Sequence, residues 1–137
     1  MKKVINIAVV GLGQVGIYLL NELNTKKDEI EIKTGKKINV VAISARSITK
    51  KRRFKINKKI FYKNPLEIFN KTKIDILFEA IGLSDGISKK VVETALNNKI
   101  HVITPNKALI SKHGDYLAKL AEGNHVNLEF EASVAGG

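Results

Sequence analysis

The sequence predicts an α/β fold in which a doubly wound parallel sheet forms a single domain. Apolar runs of strand length alternate along the chain with segments whose apolar residues recur at helical spacing, as expected for parallel strands joined by helical crossovers. The 137 residues are about enough for one domain with a sizeable core. A glycine-rich turn between the first apolar run and the first amphipathic segment makes the prediction more specific.

The first strand, Val4–Val10, leads directly into the pattern Gly-x-Gly-x-x-Gly. In this context Gly11 permits a sharp turn, Gly13 permits close approach of a pyrophosphate, and Gly16 permits the helix to pack closely on the strand. The N–H groups at the helix start would then face the diphosphate. The pattern predicts a Rossmann-type dinucleotide site, and the alternative is a structural turn without a ligand. The predicted cofactor-binding residues of this turn are Gly11, Gly13, Gln14, Val15 and Gly16.

The segments after the turn predict the first crossover helix and the second strand. Leucines recur at helical spacing from about Gln14 to Asn24, which predicts the helix. Residues 25–37 are mostly charged and contain a glycine, so we expect the end of that helix and a surface loop. Ile38–Ile43 is a continuous apolar run, typical of a strand buried on both faces.

The end of the second strand predicts which dinucleotide binds. It lacks the Asp or Glu that accepts a hydrogen bond from the ribose 2′-hydroxyl of NAD, and it carries Arg46 between Ser44 and Ser47. A guanidinium suits a 2′-phosphate through charge-assisted hydrogen bonds, so we expect NADP in preference to NAD. Residues 50–53, Lys-Lys-Arg-Arg, extend this basic cluster, although a solvated loop is the simpler interpretation for any one of them.

The rest of the chain continues the alternation. Residues 54–64 are ambiguous between a short strand and irregular structure, and Pro65 could begin a short helix. The remaining predicted elements are a strand at Ile74–Ile81, a helix at Ile87–Asn98 capped by Ser84 or Asp85, a strand at Ile100–Ile103, a helix at Ala108–Ala121 broken or frayed near Gly114, and a strand from Val126 or Asn127 to Ala132.

The carboxyl ends of these parallel strands should meet at one rim, where such sheets bind ligands. We expect the rim to include Gly11–Gly16, Arg46, Gly82, Thr104–Lys107 and Ser133–Gly137. We also predict that Ile81 and Gly82 contact the cofactor. Lys107 is the predicted catalytic residue, because an ammonium at this strand end could polarise a developing alkoxide or pass a proton.

The composition limits the classes of function. The absence of cysteine excludes disulfides, thiolate catalysis and cysteine metal sites, and it fits a reducing cytoplasm. The net charge of +11 would suit nucleic-acid binding, but the sequence has no RNA-binding motif of basic and aromatic residues. We therefore expect the basic residues to attract a polyanionic cofactor instead. No apolar run reaches the ~18 residues of a membrane span. His101, His113 and His125 are spaced too widely for a metal motif.

Five segments of the chain resemble one enzyme family, and the resemblance covers essentially the whole sequence. They are Gly11–Gly16, Ser44–Ser47, Asp75–Gly82, Thr104–Ala108 and Phe130–Gly137. Together they resemble the nucleotide-binding half of homoserine dehydrogenase. The resemblance implies NAD(P)-dependent interconversion of L-homoserine and L-aspartate 4-semialdehyde, a step toward threonine and methionine. It also implies that Lys107 lies beside cofactor and substrate, and that Glu131, Val134 and Gly136 bind a monovalent cation in the complete enzyme.

The family's substrate-binding domain, its catalytic Asp and Lys pair and most of its dimer interface follow the region that resembles this chain. We therefore expect residues 1–137 to form the NAD(P)-binding domain, and to turn over homoserine negligibly unless another chain supplies the rest. A homodimer is expected only for the complete enzyme. Two alternatives remain: a non-catalytic NAD(P)(H)-sensing module, or the Rossmann half of another amino-acid or semialdehyde dehydrogenase.

Overall fold

A parallel six-stranded sheet flanked by helices forms the described part of the chain, residues 3–46 and 55–131 of a computed structural model. The strand order is β3-β2-β1-β4-β5-β6, and every neighbouring pair is parallel. This confirms the predicted doubly wound Rossmann-type sheet. The elements are β1 (Lys3–Val10), α1 (Gln14–Thr34), β2 (Lys36–Ser44), β3 (Phe61–Tyr62), α2 (Ile68–Lys71), β4 (Ile76–Glu79), α3 (Ile87–Asn97), β5 (His101–Thr104), α4 (Lys107–Gly123) and β6 (Leu128–Phe130), with 3₁₀ turns at Lys58–Ile60 and Pro65–Glu67.

The second half of the central strand β1, Ile7–Val10, is buried on both faces. Ala8 and Val10 pack in the core beneath α3 and α4, whereas Ile7 and Val9 pack with residues of α1. Successive side chains of a strand point to opposite faces, so a strand covered on both sides must be apolar throughout. That requirement explains the apolar residues Ile7–Val10, whereas the less buried first half of the strand carries Lys3 and Asn6.

The first helix is longer than its apolar pattern predicts. α1 extends to Thr34, so the surface loop expected over most of residues 25–37 is wrong. Charged side chains stabilise this second half instead, through ion pairs between residues four positions apart. The spacing of apolar residues does not reveal such pairs. The pairs are Glu22–Lys26 at 2.9 Å and Glu29–Lys33 at 2.8 Å. Gly35 ends the helix with φ +73°, and its N–H donates to a carbonyl of the last turn.

Two further details of the helices differ from the sequence predictions. α4 continues through Gly114 without a break, because a glycine lowers helix propensity but tertiary packing overrides it. The first residue before α3 is Gly86, and no side chain caps that helix, so capping by Ser84 or Asp85 is wrong. No helix within the described residues has both the length and the apolar character of a membrane span.

The Asp85 side chain connects helix α4 with the loop that precedes α3. Its carboxylate accepts a hydrogen bond from Lys112 Nζ and lies 2.7 Å from His113 Nε2. The hydrogen bond from Lys112 has the largest effect and the one with His113 the next largest, and these contacts lower the pKa of Asp85 from 3.8 to about 2. Asp85 therefore connects two helices rather than capping one of them.

The glycine turn allows the backbone to approach closely at two of its three glycines. Gly11 has φ +94°, and a Cβ there would lie 2.5 Å from the carbonyl carbon of Ala80. A Cβ on Gly16 would lie 1.9 Å from the carbonyl oxygen of Gly11. The steric roles predicted for these two residues are confirmed. A Cβ on Gly13 would meet no atom within 4 Å.

We expect Gly16→Ala to lower the free energy of unfolding by about 2 to 3 kcal/mol, because the added methyl overlaps backbone that cannot easily move. Urea denaturation measures the change. Gly13→Ala is the matched control, since its methyl enters open space, and it should change stability by less than about 1 kcal/mol. Equal destabilisation by both substitutions would contradict the steric role of Gly16.

The low pKa of Asp85 predicts a pH dependence. The folded-state pKa of about 2 lies below the ordinary 3.8, so the stabilisation is present above pH 3.8 and is lost as pH falls through about 2. A carboxyl-detected NMR titration should place the Asp85 midpoint near 2, and Lys112→Gln should raise it. Lys119→Gln, at an exposed position of the same helix, should leave it unchanged. A wild-type midpoint at the ordinary value would contradict the pairing.

Candidate functional site

The carboxyl ends of β1, β2 and β4 surround an open cleft of about 420 Å³. It lies where the strand order reverses between β1 and β4, the usual ligand position in such sheets. We call it the switch-point cleft. Of the predicted site residues, Gly11, Gly13, Arg46 and Ile81 line it.

Two backbone hydrogen bonds hold the glycine turn at this position. Gly11 N donates to Ser44 O at 2.8 Å, which ties the turn to the end of β2. Ala80 N donates to Val10 O at 2.7 Å, which ties it to the end of β4. α1 therefore begins directly beside the switch-point cleft. The first N–H groups of a helix have no partner within the helix and favour an anion.

The remaining residues of the predicted fingerprint begin α1. Gln14 is exposed, Val15 packs on the core beneath this helix, and Gly16 is buried against the turn. Of these three, only Gln14 has a side chain turned to solvent. Any contribution of these three residues to cofactor binding would therefore come mainly from the position of the helix start.

Two basic residues line the cleft near β2 and β3. Arg46 follows β2 and is exposed, and Lys63 follows β3. Sequence reasoning missed Lys63, because residues 54–64 have no clear periodicity. The pairing of Tyr62 with Ser44, which only the tertiary structure shows, brings the end of β3 beside the end of β2. Ser47 and the basic residues 50–53 lie outside the described residues.

A buried carboxylate organises the other side of the cleft. Glu79, the last residue of β4, is 0% exposed. Its Oε2 accepts hydrogen bonds from Ile81 N and Gly82 N, each at 3.0 Å, and its Oε1 accepts one from Thr104 Oγ1 at 2.6 Å. None of the sequence motifs assigns Glu79 a role, although an acidic residue beside the apolar residues of this strand is a signal for one.

Asn106 connects this carboxylate to the start of α4. Its Nδ2 donates to Leu83 O at 2.7 Å and makes a longer contact of 3.4 Å with Glu79 Oε2. Its Oδ1 accepts from Leu109 N at 3.0 Å, which caps the helix. Lys107 is the first residue of α4 and is exposed at the same rim, although it does not line the switch-point cleft.

The predicted cation site is described only in part. Glu131 follows β6, is exposed, and donates its N–H to Thr104 O at 3.0 Å. Val134 and Gly136 lie outside the described residues. Within residues 3–46 and 55–131, no cluster of three or more His, Asp or Glu side chains could hold a metal ion. His101 begins β5 and accepts a hydrogen bond from Asn127 N at 3.0 Å.

Solved structures of homoserine dehydrogenases share this fold. The S. aureus enzyme is 37% identical with a TM-score of 0.88, over 96% of this chain and 34% of that one. The enzyme from Thiobacillus denitrificans is 31% identical with a TM-score of 0.85, over 96% of this chain and 30% of that one. A hyperthermophilic archaeal homoserine dehydrogenase mutant, solved in complex with NADPH, is 24% identical with a TM-score of 0.76 and shows the shared fold alone.

Sequence comparison finds relatives of the same family. The homoserine dehydrogenase of Neisseria gonorrhoeae is 35% identical over 135 residues, which are 98% of this chain and 31% of that protein. The chain thus spans about a third of the length of the curated relatives it matches. The family model described as the NAD binding domain of homoserine dehydrogenase matches residues 11–131. The chain therefore belongs to the family of homoserine dehydrogenase NAD-binding domains.

Proposed function

We propose that this domain binds NADP in preference to NAD, as the cofactor-binding part of an enzyme that interconverts L-homoserine and L-aspartate 4-semialdehyde. The observation that carries the proposal is the switch-point cleft, where the glycine turn and the start of α1 meet two cationic side chains. The open space beside Gly13 fits close approach by a phosphate. A nicotinamide cofactor, when bound, supplies or accepts the hydride of such a reaction.

Residues in and beside the cleft would bind the two ends of a dinucleotide separately. At one end, Arg46 and Lys63 suit the 2′-phosphate of NADP, because both line the cleft and both carry positive charge. At the other end, Ile81 and Gly82 follow β4 and would lie beside the nicotinamide half. Lys107, at the start of α4, would stabilise negative charge on the substrate oxygen or transfer its proton.

The complete protein's properties are part of the same proposal. We infer that residues 1–137 are one domain, and that the substrate-binding and catalytic region lies in the part of the relatives that this chain does not match. A homodimer and a monovalent cation held by Glu131, Val134 and Gly136 would belong to that complete enzyme. Its place would be in cytoplasmic threonine and methionine biosynthesis.

We expect Arg46→Asp to weaken NADPH binding by at least about tenfold and to leave NADH binding nearly unchanged, because only NADPH carries the phosphate. Calorimetric titration of the purified chain measures both affinities. Lys37→Asp is the matched control, since it makes the same charge change in an exposed residue near the opposite end of β2. Equal loss in both variants would show only the effect of net charge. Unchanged NADPH affinity in Arg46→Asp would contradict the proposed phosphate contact.

We also expect the 137-residue chain to bind NADPH but to oxidise L-homoserine at no measurable rate, because it covers 31% of the Neisseria enzyme. Absorbance of the reduced cofactor measures turnover, with a full-length homoserine dehydrogenase as the positive control. If the purified chain oxidised L-homoserine and Lys107→Met abolished that activity, the proposal that catalysis also needs the unmatched region of the relatives would be contradicted.

A further inference from the structure

We propose that Glu79 is a positioning residue that fixes both loops on the β4 and β5 side of the switch-point cleft. The inference rests on the proposed cofactor-binding function, and it concerns a residue that does not line the cleft. One carboxylate bonds to the loop after β4 and to Thr104 at the end of β5. These segments carry Ile81 and Gly82 on one side and lead to Lys107 on the other.

The environment of Glu79 is unusual for a carboxylate. It is fully buried, and its partners are uncharged donors: two backbone amides, a hydroxyl and a side-chain amide. A carboxylate without hydrogen bonds is very costly to bury, so both oxygens must be satisfied. An apolar residue at this strand position would avoid that cost, as its neighbours Leu77 and Phe78 do. Stability of the core alone therefore gives little reason for a carboxylate here.

The hydrogen bonds explain what the carboxylate does. Backbone amides of Ile81 and Gly82 both point at Oε2, which holds the loop in a turn where Gly82 has φ +90°. Without that acceptor, both N–H groups would lose their partner and the loop would lose its defined conformation. Hydrogen bonds to an ionised acceptor are roughly twice as strong as neutral ones, so the negative charge matters as well as the shape.

The second oxygen extends this control to the start of α4. Thr104 Oγ1 donates to Glu79 Oε1 and accepts from Asn106 N at 3.0 Å. Asn106 in turn caps α4 and bonds to Leu83 O. Glu79 thus sets, through Thr104 and Asn106, where α4 begins and where the Lys107 backbone lies.

The opposite end of the same strand provides a matched control. Asp75 lies just before β4, and its Oδ2 accepts a hydrogen bond from Asn6 N at 2.8 Å. It is also a carboxylate that holds a backbone amide of this sheet, but it lies at the edge away from the switch-point cleft. Asp75→Asn and Glu79→Gln remove one charge each, so a general effect on the fold should appear in both.

The first readout is the affinity of the purified chain for NADPH, measured by calorimetry. We expect Glu79→Gln to weaken binding by about tenfold and Asp75→Asn by less than about twofold. Of these two carboxylates, only Glu79 holds the segments beside the cleft. Unchanged affinity in Glu79→Gln would overturn the proposal. So would an equal loss of affinity in Asp75→Asn.

The second readout needs no cofactor. Amide proton shifts of Ile81 and Gly82 in the ligand-free chain should move upfield in Glu79→Gln, because a neutral acceptor polarises them less, and should stay in place in Asp75→Asn. Unchanged shifts in Glu79→Gln would overturn the role of the carboxylate. If the wild-type chain bound neither NADPH nor NADH, the proposed function would fail, and the amide shifts would still decide the Glu79 proposal.

A second pair of variants serves if Glu79→Gln does not fold. Thr104→Val keeps the side-chain volume and removes the donor to Glu79 Oε1, whereas Thr104→Ser keeps the hydroxyl. We expect Thr104→Val to weaken NADPH binding and to shift the Asn106 amide, and Thr104→Ser to retain wild-type behaviour in both. Wild-type affinity in Thr104→Val, or an equal loss of affinity in Thr104→Ser, would overturn the proposal.

Discussion

The close approach of the glycine turn to the end of β4 determines where α1 and the switch-point cleft lie. Gly16 lies against Gly11, and Gly11 lies against the backbone of Ala80, at separations that leave no room for a Cβ on either glycine. The turn is bonded to β2 on one side and to β4 on the other. Together these contacts place the first N–H groups of α1 at the point where the strand order reverses.

Two features of the structure then shape the switch-point cleft. On the β1 and β2 side the shape comes from the absence of side chains at the glycines. On the β4 and β5 side it comes from the buried carboxylate of Glu79 and its hydrogen bonds to Thr104 and the following loop. The first would allow close approach by a phosphate of the proposed cofactor. The second holds the loop that would face the nicotinamide half of the proposed cofactor.

The predictable parts of the structure are those whose cause is local in the sequence. Ile7–Val10 of β1 is buried on both faces and is therefore apolar, and Gly11 marks a positive φ that other residues rarely adopt. The second half of α1 was not predicted, because exposed ion pairs stabilise it and leave no apolar stripe; Ile32 there is 83% exposed. Asp85 was expected to cap a helix, but it has partners on α4 that only tertiary structure brings near.

The Glu79 arrangement shows the same limit at the candidate site. Its partners Thr104 and Asn106 are 25 and 27 residues away in the sequence, and they meet Glu79 only because β4 and β5 are adjacent and parallel. The acidic residue in an apolar strand was visible, but its partners were not. Lys63 became a candidate for the same reason, through the pairing of β3 with β2.

We propose that a dinucleotide binds where the glycine turn meets β4, and a map of backbone amide shifts during titration with NADPH would locate that binding. The shifts should move at Gly11–Gly16, Arg46, Ile81–Gly82 and Asn106–Lys107, and residues near Asp75 at the opposite edge should not respond. Movement confined to other surfaces, or no movement at saturating NADPH, would contradict the assignment of the switch-point cleft as the cofactor site.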